Sequence, residues 1–537
     1  MNKISKNILV IFLGLVISYF LVTLLKFHYS IILFPYQLEY REGASLLLAN
    51  ELLQGNFPYT LKNQPNLSDV FGCLYSIFSI PFLKVFGVHL SSMRILSGIS
   101  IVLVSVFFYI KQKSNRHNYL IPITLTVLFY ALNLFTVIPI NRPDSLGFLL
   151  FTLSMYLPVN AKFSRNSLIL ALFFCLLAYL TKSYFILGFP FLLFYIFLFH
   201  SKLRAIKYGT LFFLSFILLQ VILHSIFDFY FIGTFSNQLA STVNNFNHLF
   251  NQINFYFFKF LLIPTTILFF YLLQKIIVKR QLIFQFVENP NKIISILNLN
   301  SFKSPLLNRS TDFDINWLYF SLGLIIILFK LGGHTGQFGV YLIHFLSFPF
   351  LLLVSNILQQ YKQDRYGVLK LFLVVLMVSK ALTILSVNRN FEVTKEFKAI
   401  VHTIKKSKKV LATPILASVL VEQHKYVYAS GLTEYFFYVP ALKNNYGLPT
   451  IIAKVKDKLL LPTIMQSEFQ ITSYLEDIQK KVIAKKFDVI YLDNTIYDDW
   501  MVDPTVVNKY YTIVDTIHVV MYASFQENKL FKLVPRN

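Results

Sequence analysis

Long apolar windows recur along the first 387 residues of this chain, and no other feature restricts its fold as strongly. Stretches of about 17–25 apolar residues can cross a bilayer. About eleven windows can be placed, at 8–26, 95–110, 119–139, 145–158, 167–181, 184–200, 208–227, 256–274, 315–330, 338–356 and 368–387. Backbone polar groups in hydrocarbon must be satisfied within the segment itself. The windows therefore predict an all-α polytopic transmembrane bundle of about 11 spans. The composition agrees: 56% of the 537 residues are hydrophobic and the mean hydropathy is +0.60, far from soluble averages.

Charge predicts the orientation. Of the 29 lysines and arginines before residue 388, 19 fall in loops on one side, including Lys111, Lys113, Arg116, Lys202, Arg204 and Lys207. By the positive-inside rule that side is cytoplasmic. An odd number of spans then puts the N-terminus inside and the C-terminus outside. The formal net charge of +24 divides into +19 before residue 388 and +5 after it. Most of the excess is thus a topological signal, and no nucleic-acid partner is expected. The basic start followed by a long apolar run, without a small-residue cleavage site, predicts a retained first span. Cys73 and Cys175 both lie in apolar stretches, which indicates neither a disulfide framework nor a thiolate metal site.

From about residue 388 the character changes. Lysine-rich polar helices alternate with short β-like runs at Val410–Thr413, Tyr426–Ala429 and Phe487–Asp493, and Tyr511–Ala523 can pair with Lys529–Val534 as an antiparallel edge. The expected organisation is a membrane domain over 1–387, with an outer loop at 27–94, and a small extracytoplasmic α/β domain over 388–537. Its Tyr435–Tyr438 aromatic cluster suits a saccharide platform or, more commonly, an ordinary core. The inner loop 275–314 carries no interpretable pattern, and no internal repeat is present.

Ten acidic residues precede 388, and six of them (Glu39, Glu42, Glu51, Asp69, Asp144 and Asp228) face outward in this topology. Carboxylate chemistry is therefore expected on the outer face. Glu42 opens an amphipathic helix ending at Gly55, where helix-terminal charge compensation is the plain role and catalysis the sharper one. Glu39 can share a proton or a metal with it, while Arg41 can neutralise both. Asn141-Arg142-Pro143-Asp144 forms an outer turn in which Asp144 can cap the next helix. Capping leaves Arg142 unexplained, and its planar fork suits phosphate. Lys182 stands at the outer end of the fifth window, either snorkelling or binding phosphate. Gly332–Gln337 offers His334 and Gln337 to a sugar or phosphate, or is simply a tight connector. His334 has no partner at zinc-ligand spacing, and no Walker A, GxGxxG or HExxH pattern occurs.

Four stretches in order give the chain a resemblance to the GT-C superfamily of integral membrane glycosyltransferases, of the dolichyl-phosphate-mannose-protein mannosyltransferase-like and aminoarabinose-transferase-like bacterial kind. Arg41-Glu42-Gly43 leading into LLLANELLQGNFPY resembles the family's acidic motif and amphipathic helix. Phe78–Ser97 is similar to its juxtamembrane segment, with a Phe-Gly turn and a later arginine. Arg142-Pro143-Asp144 with Ser145–Tyr156, and Leu180-Thr181-Lys182, complete the set. The match is strongest over the first 200 residues.

The resemblance implies a GT-C transmembrane domain in the cytoplasmic (inner) membrane. It implies transfer of a sugar from a polyprenyl-phosphate-linked donor to a glycan, lipid or protein acceptor on the outer face, with inversion. Glu42 would be the base, Asp144 would position it or help hold a divalent cation, and Arg142 and Lys182 would bind the departing phosphate. Glu39, Arg41, His334 and Gln337 would contact substrate. Relatives often carry consecutive acids where this chain has Arg41 before Glu42, so no obligatory metal or other cofactor is expected. The alternatives are a transporter or flippase of lipid-linked saccharides, a polymerase or ligase using diphosphate-linked oligosaccharides, and a non-catalytic assembly scaffold. A transporter usually carries paired repeats and broken helices, which the sequence does not show.

Overall fold

A computed structural model describes residues 3–67, 71–112, 119–135, 140–230, 233–234, 245–278, 312–333, 339–360, 376, 379, 395–428, 469–493, 502–521 and 526–536. Ten of the eleven apolar windows coincide with helices. They are α1 (Lys3–Leu33), α4 (Leu90–Lys111), α5 (Leu120–Phe135), α6 (Asp144–Asn160), α7 (Arg165–Tyr179), α8 (Gly188–Phe199), α9 (Lys202–Ile226), α11 (Leu262–Val278), α12 (Asp312–Ile326) and α13 (Phe348–Gln360). The window 368–387 and the boundary near 388 lie outside the described residues. Among the described residues, five helices are long and apolar enough to cross a membrane. A sixth span results if α10 (Phe246–Ile253) and its π-helical extension are joined to α11 across an 89° bend. Several of the others, α5, α7 and α8 among them, are shorter apolar helices.

Burial separates these helices by role. The segment Val340–Gln359, which includes α13, is 94% buried and forms the centre of the bundle, whereas α9 is only 6% buried and turns Phe213, Leu214, Leu218 and Val221 outward. An apolar helix exposed on that scale suits lipid contact. Side-chain oxygens of Ser164, Ser201 and Asn245 accept from free backbone N–H groups at the starts of α7, α9 and α10, as N-caps do.

Two short helices follow the first span: α2 (Glu42–Leu53), closed by Gly55 at φ +85°, and α3 (Leu74–Phe86). The α2 helix and its glycine stop are as the sequence predicts.

The C-terminal part is an α/β unit with a four-stranded sheet in the order β1-β2-β4-β3. Strand β1 (Val410–Ala412) runs parallel to β2 (Val489–Asp493), while β4 (Gln526–Pro535) pairs antiparallel with both β2 and β3 (Tyr511–Met521). The expected pairing of the last two strands is present. However, β4 lies inside the sheet, and the ladder carries a bulge between Ile513 and Asp515. The run beginning at Tyr426 is not a strand over 426–428. Instead, Tyr428 packs edge-on against Phe487. The Tyr435–Tyr438 cluster lies outside the described residues. Helices α14 (Lys395–Lys406), α15 (Ala417–Glu422), α16 (469–483) and α17 (Pro504–Tyr510) surround the sheet. In α14 the apolar positions Phe397, Ile400 and Ile404 are buried, the one-sided spacing of an amphipathic helix.

This unit rests on the loop between α1 and α2. The Gln37 amide donates to the carbonyl oxygens of Glu39, Tyr40 and Pro414 and accepts from the Ser418 N–H. The Glu422 carboxylate accepts from the Leu90 N–H, and the Tyr36 and Phe397 rings are 3.9 Å apart. Contact is closest at Gly43, where an added Cβ would lie 2.5 Å from Gln37 Oε1 and 2.7 Å from both Ala417 Cβ and the Ser418 backbone nitrogen. Gly43→Ala is expected to push α15 away at a cost of about 1–3 kcal/mol, as overpacking does. The drop should appear in the thermal unfolding midpoint of the detergent-solubilised protein.

Candidate active site

Of the six carboxylates expected to face outward, three come together, and two others have partners elsewhere. Asp228 accepts from the Leu61 N–H and Glu51 from the Asn56 amide, while Asp69 lies outside the described residues. Glu39, Glu42 and Asp144 meet where the loop before α2, the connection 140–143 before α6, and the turn after α7 converge.

Glu42 is fully buried and faces Arg94 of α4. Its Oε1 accepts from Arg94 Nε (2.7 Å) and the Asn141 N–H (2.7 Å), and its Oε2 accepts from Arg94 Nη2 (2.7 Å) and the Leu38 N–H (2.6 Å). A carboxylate offers about four lone-pair positions, and all four are occupied here. The arginine is equally saturated, because its remaining donors reach the carbonyl oxygens of Ile31, Phe34 and Tyr36. Closure is geometric: two arginine N–H groups and two backbone N–H groups fill the four acceptor positions, and the other three arginine N–H groups end on carbonyl oxygens. The Asn141 amide also donates to the Glu42 carbonyl oxygen at 2.8 Å. The hub ties α1, α2, α4 and the approach to α6 together, and so fixes where Arg142 stands.

In the sequence Arg94 stands out only as the later arginine of the Phe78–Ser97 family segment. Its partner lies 52 positions away, a separation that no local pattern reveals. Arg41, which sequence suggested as the neutralising charge, lies with its guanidinium carbon 4.9 Å from the Tyr40 ring and 5.5 Å from the Phe71 ring.

Beside the hub, three cations gather round Phe71. Arg142 and Lys182 lie 5.2 and 4.5 Å from its ring centroid, within cation–π range. Phe71 is held there by a close backbone approach, in which the Gly72 and Leu74 N–H groups donate to the Thr181 and Leu180 carbonyl oxygens. A Cβ at Gly72 would sit 2.0 Å from the Leu180 oxygen. No larger residue fits that crossing.

Asp144 is the first residue of α6 and makes no cap, since the N-cap position belongs to Pro143. Its Oδ1 accepts from Lys182 Nζ at 2.7 Å, and its Oδ2 lies 3.1 Å from Arg142 Nε. The latter contact has the distance of an ion pair without the alignment of a hydrogen bond, so Arg142 Nε and Nη2 and Asp144 Oδ2 have no hydrogen-bond partner among the described residues. Arg142 Nη1 is 3.5 Å from Glu39 Oε1, while Glu39 Oε2 accepts from the Arg41 N–H at 2.9 Å. Burial, opposed by Asp144 and reinforced by Arg142, draws the Lys182 ammonium below the ordinary lysine range. An anion bound beside it would favour the charged form.

Outside the closed hub the cluster therefore holds Arg41, Arg142 and Lys182 against Glu39 and Asp144, with buried guanidinium donors unfilled. This fits an anion, because buried donors without partners are costly and a phosphate supplies acceptors in the matching fork geometry. It does not fit a divalent cation, since both carboxylates are interleaved with positive groups. Among the described residues, no three His, Cys, Asp or Glu side chains assemble as a ligand set.

One buried residue escaped sequence reasoning. His344 sits in a π-helical turn, Ile343–Ser347, at the head of α13. Its Nδ1 is 3.0 Å from the Tyr184 hydroxyl, its ring stands against Phe148 and Phe185, and its Nε2 has no hydrogen-bond partner among the described residues. The signal was an ionisable side chain inside an apolar window, and such π turns often mark functional sites. His334 and Gln337, the expected outer-turn contacts, lie outside the described residues.

No family model matches the chain, and no curated protein matches it. Among solved structures, it is similar to the crystal structure of ArnT from Cupriavidus metallidurans in the apo state. The likeness covers 96% of this chain and 97% of that one at 10% sequence identity, with a TM-score of 0.48.

Proposed function

We propose that the protein is a multi-pass inner-membrane glycosyltransferase of GT-C type that moves a sugar from a polyprenyl-phosphate donor to a cell-envelope glycan, lipid or protein, with its active site on the extracytoplasmic side. The observation that carries this reading is the Arg142 guanidinium, buried with Nε and Nη2 unfilled beside Lys182 and Phe71. Such a fork is suited to a phosphate that departs from the anomeric carbon. Charge develops on the leaving oxygen as the glycosidic bond breaks, and preorganised donors lower that barrier. Lys182, positioned by Asp144, would share the developing charge.

The acceptor hydroxyl must lose its proton as its oxygen attacks the anomeric carbon. The resemblance gives that proton to Glu42, whose lone pairs are all engaged. In this proposal the base is Glu39, whose Oε1 has only the 3.5 Å contact with Arg142. Glu42 with Arg94 becomes the frame that positions both. A single displacement from the face opposite the phosphate would invert the anomeric centre, and no metal takes part in these steps.

The test is sugar transfer in liposomes supplied with labelled polyprenyl-phosphate sugars and an envelope glycan extract. Arg142→Gln removes one charged, forked donor and should lower turnover by about 10²- to 10³-fold, the scale for losing one such group. If the wild-type protein leaves every donor intact but carries labelled lipid between leaflets, the transporter reading replaces this one.

A further inference from the structure

Two lysine runs far apart in sequence, Lys405-Lys406-Ser407-Lys408-Lys409 and Lys485-Lys486, each lie just before a strand of the outer sheet. Those strands, β1 and β2, are parallel and in register, with Val410 opposite Val489. The pairing brings both runs to one edge of the sheet, and all six lysines are exposed. The only carboxylate in the two connections is Asp488, which is occupied in accepting from the Lys408 and Lys409 N–H groups. Lys485 Nζ donates to the Arg536 carbonyl oxygen, which adds a further cation to the same edge.

The direction of this rim follows from the helices that feed it. Near its start, α14 packs Phe397 on Tyr36, and α16 reaches Asn66 through the Tyr474 hydroxyl. Both contacts belong to the outer loop of the membrane unit. From them to Lys406 and to the end of α16, each helix runs roughly 13 Å at 1.5 Å per residue. Strand β1 then returns, so that Thr413–Ser418 lies against Gln37 and Gly43. The basic rim thus stands at the far edge of the α/β unit from the membrane loops. Compensation of helix dipoles accounts for Lys405 and Lys406 in the last turn of α14. The other four lie beyond the helix ends, where that effect has faded.

We propose that this rim binds a polyanionic polysaccharide, holding an acidic envelope glycan near the enzyme as acceptor. The assignment rests on the outer-face transferase reading for its location. A dense set of exposed lysines, none in an ion pair among the described residues and set away from the bilayer, matches a repeating anionic polymer in sign and reach, and attraction of this kind raises the local concentration of a charged partner. An anionic membrane surface would require the rim on the opposite edge.

The experiment uses the full chain in nanodiscs of neutral lipid, with fluorescent polygalacturonate as the polyanionic probe and fluorescent dextran as the neutral one. Wild type should bind polygalacturonate, more weakly as salt rises, and should not bind dextran. The variant Lys405→Gln/Lys408→Gln/Lys409→Gln/Lys486→Gln should bind it about tenfold more weakly with a flatter salt dependence, while keeping the wild-type thermal midpoint. Equal binding by variant and wild type, equal binding of dextran, or tighter rim-dependent binding to anionic-lipid vesicles than to polygalacturonate would each overturn the assignment. Binding is read without turnover, so failure of the transferase reading shows separately, in the liposome transfer assay.

Discussion

Glu42→Gln is expected to destabilise the protein by about 3–5 kcal/mol, the usual cost of removing one partner from a buried ion pair. The substitution leaves the fully buried Arg94 guanidinium without its counter-charge and gives Oε1 and Oε2 only one amide oxygen in their place. Against a typical total stability of about 5–15 kcal/mol, such a loss should show as a large fall in thermal midpoint. Glu42→Met combined with Arg94→Met should recover part of it, since an apolar pair of similar volume removes both charges together. Recovery will be incomplete because the carbonyl oxygens of Ile31, Phe34 and Tyr36 lose their donor. A Glu42→Gln protein that melts like wild type and has lost transfer would instead return Glu42 to the role of base.

Glu39→Gln should behave in the opposite way. The protein should fold with a near-normal midpoint, keep its KM for the lipid donor, and lose about 10²- to 10⁴-fold in kcat, the range for a general base. The split matters because Glu39, though buried, is the least buried of the three carboxylates, and its contact with Arg142 is a loose 3.5 Å. A merely structural Glu39 would change stability and donor KM together. If kcat survives the substitution within a few-fold, the base lies elsewhere in the site.

Much of the membrane part was legible from hydropathy, because lipid imposes one solution on a long apolar run. Ten windows became helices, and the glycine stop of α2 and the pairing of the final two strands followed from local chemistry. What sequence could not supply was partnership at a distance. Glu42 and Arg94 are 52 residues apart, and their mutual saturation depends on backbone carbonyls and N–H groups that no side-chain pattern encodes. Asp144 read as a cap because it stands at a helix start, but Lys182, 38 positions later, offers it a stronger bond. His344 was hidden for a related reason: within an apolar window a single histidine alters the average little. The lysine rim is a product of strand register, invisible until β1 and β2 are paired.

The position of β4 has a consequence for biosynthesis. It lies between β2 and β3, so the sheet that presents Thr413–Ser418 to Gln37 and Gly43 lacks an inner strand until residues 526–535 have been made. At roughly 5–20 residues per second, the ribosome finishes that strand on the order of a minute after Glu42 has left it. The charged loop must therefore wait, inserted beside the membrane without its covering sheet, for translation of the last strand to complete its surroundings.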